Sequence, residues 1–168
     1  MRQPLLALLS AALSATVLTS PAHAGRAEVT YDHPERYTDA GRGRDAESAR
    51  RTLASHLADL AQQHLPAGQQ LAIVVTDIDL AGQVPPTVAA RHGEVRVLGR
   101  NVDWPRIALR YTLRDGERVL AEGSEEVADM AYMQHGGLPA GNGALPYERR
   151  MLSDWFERRF TAATAAGK

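Results

Sequence analysis

Residues 106–122 contain the pattern that most restricts the fold of this chain. From Ile107 to Leu113, apolar side chains alternate with polar or small ones, which is typical of a β-strand with one buried face. The dipeptide Asp115-Gly116 follows, and such a pair favours a reversal of the chain. We therefore predict an antiparallel β-hairpin, and with it a sheet that has an apolar face.

The alternation also selects a register for this hairpin. A two-residue connection would mix apolar and polar side chains on each face, whereas the three-residue connection 114–116, with Gly116 in the left-handed conformation, keeps them apart. The predicted register places Tyr111 opposite Val119. It also brings Arg110 and Glu122 together on the polar face.

Three further segments carry strand patterns. Residues 27–31 predict a short strand, and residues 71–80 are rich in β-branched side chains, which we interpret as an interior strand covered on both faces. Val95 and Val97 indicate another short strand. Together with the hairpin, these segments predict a mainly antiparallel sheet of four to five strands.

Two segments have the spacing of amphipathic helices. The first begins at Asp45, whose carboxylate can cap free amide groups, and ends before Pro66 and Gly68; the second opens at Pro146. Their apolar stripes are Ala49, Leu53, Leu57, Leu60, Ala61 and Leu65 in the first helix, and Met151, Leu152, Trp155, Phe156 and Phe160 in the second. We predict an α+β fold in which both helices pack on the sheet.

The first 24 residues have the three parts of a secretory signal peptide. Arg2 supplies the charge, an apolar run continues to Leu18, and Ala22-His23-Ala24 has the small-x-small form of a signal-peptidase site. The run of about 15 apolar residues is shorter than the roughly 20 that span a bilayer. We predict export with cleavage after Ala24, a single soluble domain over residues 25–160, no transmembrane segment after the leader, and a frayed tail over 161–168.

Composition excludes several classes of site. The chain has 168 residues, no cysteine and a formal net charge of −1. Disulfides, thiolate metal sites and cysteine nucleophiles are therefore excluded, and a nucleic-acid-binding surface is not expected. Lys168 is the sole lysine, which leaves the predicted domain without a residue for Schiff-base chemistry.

Four blocks of the sequence resemble a known family. They are VTYDHPERYTD (29–39), TDIDLAG (76–82), the segment 105–130 and the segment 145–156. In this order they are similar to a domain-of-unknown-function family of small exported proteobacterial proteins. The resemblance spans nearly the whole chain after the leader and implies a periplasmic location. Since the family has no assigned activity, the resemblance implies no catalytic residue.

Asp77 and Asp79 are the main candidates for chemistry. They lie two residues apart on a predicted strand, which puts both carboxylates on one face about 7 Å apart. Such a pair could hold a divalent cation or act as an acid and a base. We favour a third interpretation, in which Arg106 and Arg110 of a neighbouring strand neutralise these carboxylates and that of Glu122.

Histidines and serines add little to this polar cluster. His33 and His135 could join the carboxylates as metal ligands, but no short-spaced histidine pair is present, so we predict no metal and no other cofactor. His56, near the edge of the first apolar stripe, is interpreted as a packing or surface residue. Ser153, like the other serines, lies in no hydrolase motif.

The leading functional hypothesis is a non-catalytic periplasmic module that binds an envelope protein or a small ligand, by strand addition or through its loops. The alternative is a metal-assisted hydrolase that uses Asp77, Asp79 and a histidine such as His33 or His135. A third hypothesis is a carrier that holds a lipid or small apolar ligand between helix and sheet. Arginines at bonding distance from the aspartates favour the binding module, whereas a polar pocket containing a histidine favours the hydrolase.

Overall fold

A computed structural model describes residues 24–85, 96–99, 103–135 and 144–161. The strands are β1 (Arg26–Tyr31), β2 (Gln69–Asp79), β3 (Arg106–Asp115) and β4 (Arg118–Ala128). The helices are α1 (Gly43–His64) and α2 (Pro146–Phe156), with a 3-10 turn at Pro34–Arg36 and a π-helical turn at Glu157–Thr161 that continues α2. The prediction of an α+β fold with two helices is confirmed.

The sheet has four strands in the order β1-β2-β3-β4, and it is mixed. β1 runs parallel to β2, while β2, β3 and β4 pair in antiparallel fashion. The prediction of a mainly antiparallel sheet is therefore wrong. The physical reason is the crossover: α1 lies between β1 and β2 in the chain, and a helix of this length returns the chain to the same end of the sheet.

Both helices pack on one face of the sheet, which we call the inner face. Every residue of the two predicted apolar stripes is buried. The sheet contributes alternate residues to the same core, among them Ile73 of β2 and Leu109 of β3, each 1% exposed. No described helix covers the opposite, outer face, where Ala72 of β2 is exposed. The prediction that β2 is covered on both faces is therefore wrong.

The beginning of α1 differs from the prediction. The helix begins at Gly43, and its N-cap residue, Arg42, makes no side-chain capping bond. Asp45 lies in the first turn, where its negative charge is favourable near the free amide groups of the helix. The first turn is therefore stabilised by charge and not by the predicted cap.

The β3–β4 connection is shorter than predicted. Asp115 pairs with Arg118, so the connection consists of Gly116 and Glu117. Gly116 has a φ of 58°, the left-handed conformation that the sequence predicts for it.

A bulge in β4 keeps apolar and polar side chains on separate faces of the hairpin. The prediction attributes this effect to a third residue in the loop. The pairing with β3 skips Leu120, which inserts one extra residue into β4. As a result Tyr111 lies opposite Gly123 and not Val119, while Arg110 and Glu122 both lie on the outer face, opposite Ser124 and Thr112. The predicted register is wrong, although the predicted separation of faces is retained beyond the bulge.

Several predictions lie outside the described residues. These are the signal peptide up to residue 23, Val95, and the tail from residue 162 onward. Val97 forms an isolated bridge with Gln83. Within the described part of the chain, no helix combines the length and apolar character needed to cross a membrane.

An aromatic cluster attaches the end of the chain to the sheet. The Tyr111 ring meets Trp155 and Phe160 edge-on, with centroid distances of 5.9 and 5.4 Å. Glu125, on the inner face of β4, accepts a hydrogen bond from Trp155 Nε1 at 3.0 Å and forms an ion pair with Arg159. These contacts hold α2 and its π-helical continuation against β3 and β4.

Gly123 leaves the space that Tyr111 occupies. A Cβ atom at residue 123 would lie 2.8 Å from the Tyr111 hydroxyl oxygen, which is closer than packing permits. We expect Gly123→Ala to lower the free energy of unfolding by about 1–3 kcal/mol, as overpacking does, in urea denaturation. Tyr111→Phe in the same chain should recover part of the loss, because it removes the hydroxyl. Ser124→Ala on the outer face is the control; an equal loss there, or no recovery, would contradict this account.

Candidate functional site

A bulge in β2 decides where the predicted carboxylates lie. In a regular strand, Asp77 and Asp79 would share the inner face with Val75. The pairing with β3 skips Thr76, and this extra residue turns both aspartates to the outer face. Ile78 then takes the inner position and is fully buried.

Asp79 forms one of the predicted ion pairs. It lies opposite Arg106 on β3, and the two side chains form a hydrogen-bonded salt bridge. The hydrogen bond to Asp79 raises the pKa of the Arg106 guanidinium. The same guanidinium lies over the Trp104 ring, 5.8 Å from its centroid. Asp79 is thus matched by a cation in the way that the sequence predicts.

Asp77 is held by a different partner from the predicted one. Its two carboxylate oxygens accept hydrogen bonds from the amide and the hydroxyl of Thr38, both at 2.7 Å. The neighbouring Asp39 forms a parallel bridge with Asp79. The carboxylate of Asp77 therefore attaches the segment that precedes α1 to the outer face of β2.

The other two members of the predicted cluster do not join it. Arg110 bonds to Asp32, at the end of β1, over 3.2 Å. Glu122 is exposed, lies opposite Thr112, and forms no ion pair with a described residue. The structure therefore brings together Asp79 and Arg106, and distributes the remaining residues along the outer face.

The histidines named for a metal site lie beside other carboxylates. His33 contacts Asp32 and Glu35, and His135 contacts Asp129 at 3.2 Å. Within the described ranges, no group of three or more His, Asp and Glu side chains is arranged to hold a metal ion. No contact between described residues links either histidine to Asp77 or Asp79.

A buried carboxylate that the sequence reasoning missed lies at the start of α2. Glu148 is 2% exposed, and its Oε1 accepts a hydrogen bond from the amide of Ala81 at 2.8 Å. Burial raises the pKa of this carboxyl group. Its position in the first helical turn is the ordinary place for an acidic residue, so the sequence offers no signal of its burial.

Arg96 organises the loop that follows β2. Its guanidinium forms an ion pair with Asp39 at 2.6 Å. It also donates hydrogen bonds to the carbonyl oxygens of Leu80, Ala81 and Gly82, at 3.1, 2.8 and 2.7 Å. The amide of Ala81 is thereby held where Glu148 can accept its hydrogen.

A polar cavity of about 390 Å³ lies between the two helices, and we call it the helix groove. Its lining residues are Arg51, Thr52, Ser55, His56 and Asp59 of α1, and Arg149 of α2. His56 Nε2 lies 2.8 Å from the Arg149 carbonyl oxygen and 2.9 Å from Ser153 Oγ. Burial lowers the pKa of His56, which favours the neutral imidazole.

The protonation of His56 follows from its contacts. Arg149 Nε, which carries a hydrogen, lies 3.5 Å from His56 Nδ1, so Nδ1 accepts and Nε2 carries the imidazole hydrogen. Ser153 Oγ itself donates to the Arg149 carbonyl at 2.9 Å. A base that activates a serine must accept the hydroxyl hydrogen. In this tautomer His56 Nε2 is a donor, so its contact with Ser153 Oγ does not place a base on the serine hydrogen.

A comparison with protein families matches residues 25–158 to a family described as "Protein of unknown function (DUF3016)". The chain belongs to this family. The matched region includes all four strands and both helices of the DUF3016 domain. Comparisons with curated proteins and with solved structures give no match. The predicted membership of a domain-of-unknown-function family is confirmed.

Glu148 should make the stability of this DUF3016 domain depend on pH. Since burial raises its pKa in the folded state, the unfolded chain ionises first as the pH rises, and the folded state loses stability through that interval. Glu148→Gln has no carboxyl group to ionise, and its amide oxygen can still accept the Ala81 hydrogen. We therefore expect the wild type to lose stability relative to this variant as the pH rises above about 4, the ordinary pKa of a glutamate.

Urea denaturation at several pH values and constant ionic strength measures this difference. The control is Glu117→Gln in the exposed β3–β4 connection, for which the difference from wild type should vary less with pH. A difference between wild type and Glu148→Gln that is the same at all pH values would contradict the expectation.

Proposed function

We propose that this protein is an exported, non-catalytic periplasmic module that binds an extended segment of an envelope protein along the edge of β4. The proposal rests on the unpaired edge of β4. Among the described residues, no strand pairs with the side of β4 remote from β3. Such an edge presents backbone amide and carbonyl groups to an incoming strand.

The length and regularity of β4 favour it over the other edge of the sheet. β4 has 11 residues, whereas the edge strand β1 has six. The bulge at Leu120 is near the connection to β3, and the pairing is regular from Ala121 to Ala128. The regular part is long enough for a typical pair of strands.

The exposed side chains of β4 favour a partner segment that carries positive charges. Val119 and Leu120 are 41% and 39% exposed at one end of the strand. Glu122 and Glu126 are exposed on the outer face of the regular part. Since opposite charges on neighbouring strands stabilise pairing, we propose a partner strand that carries arginine or lysine at alternate positions.

The interior of the domain supports binding at its surface. A carrier would hold its ligand between helix and sheet, but that layer is filled by side chains such as Leu53, Leu57 and Phe156, each 1% exposed or less. Asp77 and Asp79, which a hydrolase would use, already bond to Thr38 and Arg106.

Site-specific photo-crosslinking tests the β4 edge. A photoreactive amino acid replaces Glu122 or Glu126 in one pair of variants and the exposed Gln62 of α1 in a control. We expect both β4 positions to yield an adduct of the same mass, with the crosslinks mapping to a single short segment of the partner. Adducts that are equally abundant at Gln62, or no adduct at either β4 position, would contradict the proposal.

The proposed export leads to a separate prediction about the N-terminal residue of the mature protein. One observation supports cleavage after Ala24: the family match begins at residue 25. We expect the intact mass of protein from the periplasmic fraction to correspond to a chain that begins at Gly25. Ala24→Tyr should retain the leader, because the peptidase site needs a small residue there. Full-length wild-type protein in that fraction would contradict the prediction.

A further inference from the structure

Arg149 gives the helix groove a positive charge that the described residues do not balance directly. Arg149 is half-buried, and no described carboxylate lies within ion-pair distance of it, whereas Arg96 and Arg106 have such partners. Its Nε meets His56, and its terminal nitrogens have no described hydrogen-bond acceptor. A planar guanidinium with free donors matches the oxygens of a carboxylate or phosphate group.

Two hydroxyl groups lie beside this guanidinium in the lining of the groove. Thr52 and Ser55 are three residues apart on α1, so they share one face of the helix. Neither side chain makes a hydrogen bond to a described residue. Both hydroxyls are therefore free to donate to an oxygen atom in the groove.

The other two charged residues of the groove, Arg51 and Asp59, contribute less than Arg149 to the electrostatic potential at its centre. Arg51 forms an ion pair with Glu47 one turn earlier in α1, and its side chain is 67% exposed. Asp59 is exposed, so water and salt screen its charge more than that of the half-buried Arg149.

From these contacts we infer that the helix groove binds a small oxyanion, a carboxylate or phosphate group, with Arg149 as its cation and Thr52 and Ser55 as hydroxyl donors. This site lies on the helices and is independent of the β4 edge. His56 is a positioning residue: it accepts a hydrogen bond from Arg149 Nε and donates to the Arg149 carbonyl oxygen. One imidazole thus holds both the backbone and the side chain of the anion-binding arginine.

NMR titration of the chain from Gly25 onward tests the inference, with inorganic phosphate and acetate as separate probes and sodium chloride at equal ionic strength as the reference. A saturable shift of the His56 imidazole signal reports binding. Saturation with phosphate alone identifies a phosphate-type ligand, whereas saturation with acetate identifies a carboxylate. A bound anion should also raise the pKa of His56, because a nearby negative charge favours the imidazolium.

Variants separate binding in the groove from general charge effects. Arg149→Gln should weaken binding by about 10-fold or more, through loss of charge-assisted hydrogen bonds. Arg44→Gln removes one exposed positive charge from the same helix and should leave the affinity nearly unchanged. Asp59→Asn should tighten binding by about two- to five-fold, because it removes a repelling charge, and a gain of affinity cannot result from misfolding.

The inference is overturned by any of three results. The first is that neither probe gives a saturable shift beyond that of chloride. The second is that the affinity is the same in Arg149→Gln and wild type. The third is that Asp59→Asn weakens binding, which would indicate a ligand whose cationic group meets Asp59. None of these results depends on the β4 edge, so this site and the proposed strand addition can fail separately.

Discussion

One extra residue in β2 determines how the two faces of the sheet differ. β2 pairs with β1 on one side and β3 on the other, so its side chains take part in both halves of the sheet. Without the bulge at Thr76, the carboxylates of Asp77 and Asp79 would point into the apolar core, which costs several kcal/mol for an unpaired ion. With it, Ile78 continues the core, and the two carboxylates meet Thr38 and Arg106 on the outer face. The polar contacts of the outer face therefore exist because the strand is irregular.

Because the core lies on one side of the sheet, no described element covers three surfaces: the outer face, the edge of β4 and the helix groove. α1 and α2 use their apolar stripes on the inner face, so the outer face carries polar side chains. Because α1 crosses from β1 to β2, the hairpin strand β4 is left at an edge of the sheet. Where α1 and α2 meet, their polar residues line the helix groove. The topology thus places the two proposed binding surfaces on different elements, so that one can be occupied without covering the other.

The sequence predicts the elements well and their pairing poorly, for a physical reason. Alternation and helical spacing record which side chains are apolar, so the core residues of α1 and α2 could be found from the sequence. Neither pattern records an inserted residue, and the bulges at Thr76 and Leu120 each shift a register while preserving the overall separation of faces. The pair of Asp79 and Arg106 could be predicted from their opposite charges on neighbouring strands, although the bulge at Thr76 is what places Asp79 on the face of Arg106. The burial of Glu148 could not, and neither could the lack of a carboxylate partner for Arg149 among the described residues, since both depend on which loop or helix approaches α2.

The contacts of His56 favour one of its two neutral tautomers. For His56 to accept the hydroxyl hydrogen of Ser153, its own hydrogen would have to move from Nε2 to Nδ1. There it would face the hydrogen on Arg149 Nε, 3.5 Å from Nδ1, and the favourable contact would become a repulsive one. The lowered pKa of His56 favours the neutral imidazole, which leaves one ring nitrogen to accept the hydrogen of Arg149 Nε. The tautomer with the hydrogen on Nε2 is therefore the one that holds Arg149 in place, with its guanidinium at the lining of the groove where we infer that an anion binds.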